Sequence, residues 1–179
     1  MSDYFKKLSF PVPFLSESFV CEKQWKLGTA HITEILSPDM LELLKKIDDF
    51  RLNGLIIYYS GESTSSPIHI DNYNVYDQTN LNFYINANDS LVNWYRSINK
   101  YPGLPKHNGV AWKRDYEIDK MQLIESVNLQ GACLFQSGVP HNVSNITSPR
   151  WCVSIKVSLH NSKYFKWQDA LSRFEKFIM

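Results

Sequence analysis

The sequence predicts a mainly β protein: a double-sheet antiparallel jelly roll flanked by a few α-helices. Two observations predict it. Between residues 54 and 159, short runs rich in Ile, Val, Tyr and Phe recur, separated by turn residues, the pattern of strands joined by tight connections. Helical periodicity is confined to two stretches, one on either side of that region. Eight short strands with helices at both ends suit two packed sheets, one of them covered by helix. The 179 residues hold no internal repeat and no low-complexity linker. One domain, residues 1–179, with a barrel core at about 54–159, is therefore expected.

The first 25 residues are aromatic and proline-spaced and read as an extended arm packed on the core. Residues 26–33 read as a strand, in which His31 is a structural histidine and not a ligand. Ser37-Pro38-Asp39 opens a helix, with Ser as N-cap, Pro at the first helical position and an acid in the first turn. Met40, Leu41, Leu44 and Ile47 carry that helix to about Phe50. Strands are expected at 54–60, 67–71, 80–87, 90–95, 119–128, 131–136, 139–145 and 150–159. The last helix is expected from about Phe165 to Phe177, with Trp167, Ala170, Leu171, Phe174 and Phe177 as its apolar stripe. Both helical stripes read as core contacts.

Composition narrows the function. Hydrophobic residues make up 44% and aromatic residues 14%, which marks a globular chain and not a disordered one. Lys+Arg is 19 and Asp+Glu is 18, so net charge does not indicate nucleic acid. The three cysteines, Cys21, Cys133 and Cys152, are odd in number and fit no zinc spacing, as expected of a reduced intracellular protein. No apolar run approaches the roughly 20 residues a membrane span needs. The first residues lack the apolar core of a signal peptide, so a cytoplasmic location is expected.

Chemistry enters at 67–71, PIHID. On a strand, residues i and i+2 point to the same side, so His69 and Asp71 project together. Alone, H-x-D is a weak signal: two polar residues on a wet face would read the same. Residues 139–150, VPHNVSNITSPR, add His141 early in a strand, turn chemistry at 145–149, and Arg150 at the start of the return strand. His69, Asp71 and His141 would then make the two-histidine, one-carboxylate facial triad of non-haem Fe(II) oxygenases, with half of an octahedron left open. Arg150 could grip the far end of an iron-chelating dicarboxylate through a two-point, charge-assisted contact. In the final strand Trp151, Val153, Ile155, Val157 and Leu159 form an apolar face, and Arg150, Cys152, Ser154, Lys156 and Ser158 the other. That second face meets solvent in a plain sandwich and lines a cavity in a jelly roll that holds a ligand.

These residues resemble the 2-oxoglutarate/Fe(II)-dependent dioxygenase superfamily. The matching positions are His69-Ile70-Asp71, then Val139-Pro140-His141-Asn142-Val143 with Asn145, then Pro149-Arg150 running into Val153-Ser154-Ile155. The distal pattern is most similar to small members related to aspartyl/asparaginyl β-hydroxylases. The resemblance covers about 54–159. It implies a double-stranded β-helix, cupin-like fold and a hydroxylase that consumes 2-oxoglutarate and O2 and releases succinate and carbon dioxide. His69, Asp71 and His141 would match the iron ligands, and Arg150 the residue that holds the distal carboxylate of 2-oxoglutarate. Asn82 and Ser154 would match polar residues facing the cosubstrate. Asn82 also has a plainer reading: Asn82, Tyr84 and Asn86 alternate with Leu81, Phe83 and Ile85 as in any half-exposed strand. His107 and His160 gain no role from the pattern and read as surface residues.

Residues 96–114 show no clear periodicity and carry Arg96, Lys100, Lys106, Lys113 and Arg114 with no acid. Tyr101 and Trp112 add stacking surfaces. The segment reads either as a solvated loop or as a mobile lid preferring an anionic or aromatic substrate; nucleic acid is a possible partner through this local charge alone. Two competing functions stand beside the oxygenase: a cupin-like metalloenzyme that does not use 2-oxoglutarate and so has no need of Arg150, and a non-catalytic jelly-roll binding module. Oligomeric state and substrate identity have no signal in the sequence.

Overall fold

The computed structural model describes residues 2–11, 24–27, 36–46, 51–60, 65–72, 75–107, 112–148, 150–158 and 165–179. The protein is mainly β. Its strands are β1 (Phe5–Lys7), β2 (Gln24–Leu27), β3 (Arg51–Ser60), β4 (Ile68–Ile70), β5 (Thr79–Ile85), β6 (Leu91–Ser97), β7 (Leu104–His107), β8 (Trp112–Tyr116), β9 (Met121–Val127), β10 (Gly131–Gln136), β11 (His141–Ser144) and β12 (Arg150–Ser158). Helix α1 spans Pro38–Lys45 and α2 spans Trp167–Phe174. Two six-stranded sheets form, in the orders β1-β10-β5-β12-β3-β2 and β7-β8-β4-β11-β6-β9. Every pairing between these strands is antiparallel. Along the chain β3, β5, β10 and β12 join the first sheet, while β4, β6, β9 and β11 join the second.

Alternation along β5 and β12 builds three layers. Leu81 and Phe83 of β5, Val153 and Ile155 of β12, and Ala132 and Leu134 of β10 face outward. They pack on Met40 and Leu44 of α1 and on Phe165, Trp167, Ala170 and Phe174 around α2. Each fully buried aromatic or leucine there stabilises the fold by about 1.5–3 kcal/mol. On the other face Tyr84, Cys133, Phe135 and Cys152 meet Val92 and Trp94 of the second sheet. The rings of Trp94 and Phe135 lie 5.1 Å apart across that interface. The central strands β10, β5 and β12 are thus buried on both faces, between helices and the second sheet.

The N-terminal arm joins the first sheet as β1, paired with β10, and sends Leu8 and Phe10 into the helix-covered core. Ser37 caps α1 by accepting from the Met40 N–H at 3.2 Å. The helix closes at Lys45, short of the expected end, and Ile47 lies outside the described residues. At the C-terminus the helix proper is Trp167–Phe174, with a tighter turn at Glu175–Phe177. Of the strand expected at 26–33, the part that is described is the end of β2; His31 and His160 lie outside the described residues.

Two expectations need correction. Residues 96–114 are not a loop without structure: β7 and β8 pair as a hairpin that extends the second sheet beyond β4. The turn residues that suggested a loop serve this hairpin. Gly103 has φ +68° and lies so close to the Asp115 carbonyl and the Tyr116 ring that a Cβ would clash. Pro105 sits on β7, at the sheet edge, where a missing N–H is tolerated. Second, the polar side of β5 is not half-exposed: Asn82 and Tyr84 are buried, and only Asn86, in a left-handed turn conformation at φ 54°, is exposed. His107 is exposed, on β7. No helix among the described residues is long and apolar enough to cross a membrane.

Candidate metal centre

The register of the second sheet sets His69 of β4 directly across from His141 of β11. Their rings lie 4.7 Å apart. Asp71 follows one residue after β4 ends, and its N–H donates to the Ser137 carbonyl at 3.1 Å, which holds it against the turn before β11. One ligand atom from each of His69, Asp71 and His141 lies within 4.8 Å of the others. Asp71 Oδ1 is 3.5 Å from His69 Nε2 and 3.8 Å from His141 Nε2. Two donors each about 2.1 Å from a shared ion can be at most about 4.2 Å apart, so both His–Asp separations suit one ion.

The surroundings orient all three groups. His69 Nδ1 donates to the Pro67 carbonyl and His141 Nδ1 to the Val139 carbonyl, each at 2.8 Å. A carbonyl only accepts, so Nδ1 carries a proton in each ring, and in the neutral tautomer this fixes the lone pair on Nε2, where a metal can use it. In each case the acceptor is the carbonyl two residues earlier, so both histidines are fixed by the same local device. Asn80 Nδ2 donates to Asp71 Oδ2 at 2.7 Å, and Gln78 Nε2 donates to Asn80 Oδ1 at 3.3 Å. This ties one carboxylate oxygen and leaves Oδ1 beside the two Nε2 atoms. Phe135 packs edge-on against His141 at 4.8 Å. Two imidazole nitrogens and one carboxylate oxygen are a donor set that fits Fe(II) with coordination positions left open.

Behind the triad, the inner faces of β5 and β12 carry polar groups into the space between the sheets. Asn80, Asn82 and Tyr84 share one side of β5. Asn82 pairs in register with Ser154, and Tyr84 with Cys152. Asn82 Nδ2 donates to the Tyr84 hydroxyl at 3.1 Å. Asn82 Oδ1, Ser154 Oγ and the Trp94 indole N–H are buried without a hydrogen-bond partner among the described residues. Arg150 is 3% exposed. It donates to Ser90 Oγ at 3.0 Å and lies 5.2 Å above the Tyr84 ring. No carboxylate meets it among the described residues. Burial pushes the Tyr84 phenol well above its usual range, with the Cys152 and Cys133 thiols adding to the effect, so its hydroxyl stays protonated. Burial also raises the Cys133 thiol, which makes it a poor nucleophile. Cys133 and Cys152 sit on strands separated by β5, about 9.6 Å apart at the strand spacing and beyond disulfide reach.

The six residues singled out from sequence thus fall into two groups. His69, Asp71 and His141 converge on one point. Asn82, Ser154 and Arg150 line the inner face of the first sheet, on a path from Asn80, at the triad, past Tyr84. Asn80 to Tyr84 is four residues, about 13 Å of strand. Sequence reasoning missed Asn80, Tyr84, Ser90 and Trp94. The alternation N-L-N-F-Y at 80–84 was the available signal for the first two. Ser90 had none, because it meets Arg150 only through a contact across 60 positions.

No protein-family model matches the chain, and no curated protein matches it. Among solved structures the chain is similar to that of E. coli ycfD, at 15% sequence identity and a TM-score of 0.43, covering 83% of this chain and 38% of that one. The chain spans well under half of that protein's length.

Proposed function

We propose that this protein is an Fe(II)- and 2-oxoglutarate-dependent dioxygenase of the double-stranded β-helix type, a hydroxylase that releases succinate and carbon dioxide. The strand order supports the fold: eight strands divide as β3-β12-β5-β10 and β4-β11-β6-β9, with successive strands mostly switching sheets, as in a jelly roll. One observation carries the function. A buried guanidinium that meets no carboxylate among the described residues lies on the same inner face as two orphaned polar atoms, behind a two-histidine, one-carboxylate donor set. Burying a charge without a counter-charge costs several kcal/mol. A dicarboxylate held at the triad by one end and by Arg150 at the other removes that cost.

The roles of the residues follow. His69, Asp71 and His141 would hold iron, which supplies the redox chemistry that joins dioxygen use to 2-oxoglutarate breakdown and substrate hydroxylation. Arg150 neutralises and orients the distal carboxylate, and the protonated Tyr84 hydroxyl, beneath the guanidinium, offers a further donor. Ser154 Oγ donates to the same ligand, while Asn82 Oδ1 takes a bound water or a hydroxyl. Asn80 keeps Asp71 turned toward the ion. Phe135, Trp94 and Val92 exclude water from the inner side.

The test is an anaerobic titration with Fe(II) and then 2-oxoglutarate, followed by visible absorbance. The oxygenase reading expects a metal-to-ligand charge-transfer band that saturates with 2-oxoglutarate. Iron binding without that band favours a cupin-like metalloenzyme. No iron binding leaves a non-catalytic module.

A further inference from the structure

We infer that the β7–β8 hairpin carries the recognition site for the substrate itself, and that this site takes a small anionic substrate, gripping its carboxylate or phosphate with the ammonium groups of Lys106 and Lys113. The inference rests on the oxygenase reading of the neighbouring triad, and it names the substrate class for that centre.

Register places the site. His69 pairs with Asp115 across β4 and β8, so the two side chains point to the same side of the sheet at adjacent positions, their Cα atoms about 5 Å apart. Lys113 lies two residues before Asp115 and shares its face. Lys106 pairs with Lys113 one strand further out. The face that carries His69 therefore continues outward as Asp115, Lys113 and Lys106. Arg114 takes the opposite face, paired with Ile70, and donates to the carbonyls of Pro102 and Gly103 at 2.7 and 3.2 Å. The basic residues of this segment are thus sorted: the arginine fastens the turn, and the two lysines stand on the metal side.

Charge decides what the face accepts. Asp115 meets Lys113 at 2.9 Å through Oδ1 and Lys106 at 3.4 Å through Oδ2. Asp71, the next carboxylate on this face, is engaged by Asn80 and, in the loaded centre, by the metal, so the two ammonium groups meet Asp115 alone and one positive charge is left in surplus. Anchoring the hairpin would need only one lysine. Lys113 is 13% exposed in its side chain and Lys106 is 61% exposed, so one ammonium group is packed against the sheet and the other reaches solvent. Lysine presents a compact charge on a flexible stem and not a planar fork, which suits a single anionic group that arrives and leaves. The patch is two lysines wide, too small for the run of phosphate contacts that gives nucleic acid its affinity.

The test uses the full chain loaded with redox-inert Mn(II) and saturated with 2-oxoglutarate, so that the inner cavity is filled. N-acetyl-L-aspartate and inorganic phosphate are titrated calorimetrically as separate probes, which distinguishes a carboxylate site from a phosphate site. A single-stranded oligonucleotide is the third probe. One small probe is expected to bind wild type, with K113Q and K106Q each weakening it about tenfold, the equivalent of 1.4 kcal/mol. D115N, which releases both lysines, is expected to tighten it several-fold; a purely structural Asp115 would leave it unchanged or weaker. Neither small probe binding at about 10 mM (a binding free energy of only about 2.7 kcal/mol), equal binding in wild type and K106Q, or tight oligonucleotide binding unaffected by K113Q would overturn the inference. Mn(II) content and 2-oxoglutarate binding are measured on the same samples. Their loss in wild type would defeat the oxygenase reading, whereas the probe titrations report on the lysines alone.

Discussion

The two faces of β5 and β12 are both removed from water and differ in almost everything else. On the helix side, Leu81, Phe83, Val153 and Ile155 meet Phe165, Trp167 and Phe174 with apolar atoms throughout. On the other side the same two strands present Asn82, Tyr84, Ser154 and Arg150, equally buried. Adjacent residues of one strand, Phe83 and Tyr84 or Val153 and Ser154, thus serve opposite chemistries. The comparison teaches that burial does not identify a core. The outer face is apolar apart from the buried Thr79 hydroxyl, whereas the inner face gathers two orphaned polar atoms, Asn82 Oδ1 and Ser154 Oγ, beside a guanidinium that meets Ser90 Oγ and the Tyr84 ring but no carboxylate among the described residues. Groups left in that state are destabilising, and they point to a ligand.

The contrast can be broken at either face. The largest effect is expected at the metal end. His69→Ala, Asp71→Ala and His141→Ala should each abolish stoichiometric iron binding and leave circular dichroism unchanged, because each removes a ligand and keeps the strand pairing, His141 losing beyond that its ring contacts with Phe135 and His69. Iron retained by all three variants at the wild-type level would remove the metal assignment. On the outer face the reverse is expected. Phe174→Ala should cost about 3–5 kcal/mol of stability, measured by denaturant unfolding, with iron and 2-oxoglutarate affinity unchanged in the fraction that remains folded. A shift in affinity larger than the stability loss would show that the two faces are not independent.

The smallest effect sharpens the comparison by its sign. Ser154 Oγ is buried without a partner, so Ser154→Ala removes an unsatisfied group. Stability of the ligand-free protein should be unchanged or raised by up to about 1 kcal/mol, while 2-oxoglutarate binds several-fold more weakly. Loss of stability with unchanged affinity would assign Ser154 to the scaffold.

How much of this was readable in advance varied with the range of the interactions. His69 and Asp71 could be paired because a strand repeats every two residues. His141 and Arg150 were found through the short stretch that joins them. The apolar face of β12 was legible, but whether Arg150 and Ser154 met water or a cavity was not, since that depends on the second sheet closing over them. The roles of Asn80 and Ser90 depend on contacts with Asp71 and Arg150 that no local pattern encodes. The β7–β8 hairpin was hidden for another reason. Its strands are rich in Lys, Arg, Pro and Asp, which propensity disfavours, and β7 forms the sheet edge, where little apolar alternation is required.

The proposed 2-oxoglutarate site turns on Arg150, and 2-oxoglutarate affinity in Fe(II)-loaded wild type, Arg150→Ala and Arg150→Lys tests it most directly. Removing one side of a buried ion pair costs about 3–5 kcal/mol. At about 1.4 kcal/mol per tenfold, Arg150→Ala should weaken 2-oxoglutarate binding by a factor on the order of a hundred to a few thousand. Iron affinity should stay the same, because His69, Asp71 and His141 are untouched. Lysine should recover only part of the loss, since it cannot make the planar two-point contact. Equal 2-oxoglutarate affinity in all three proteins would contradict the account, leaving a metal centre beside an arginine that serves something else.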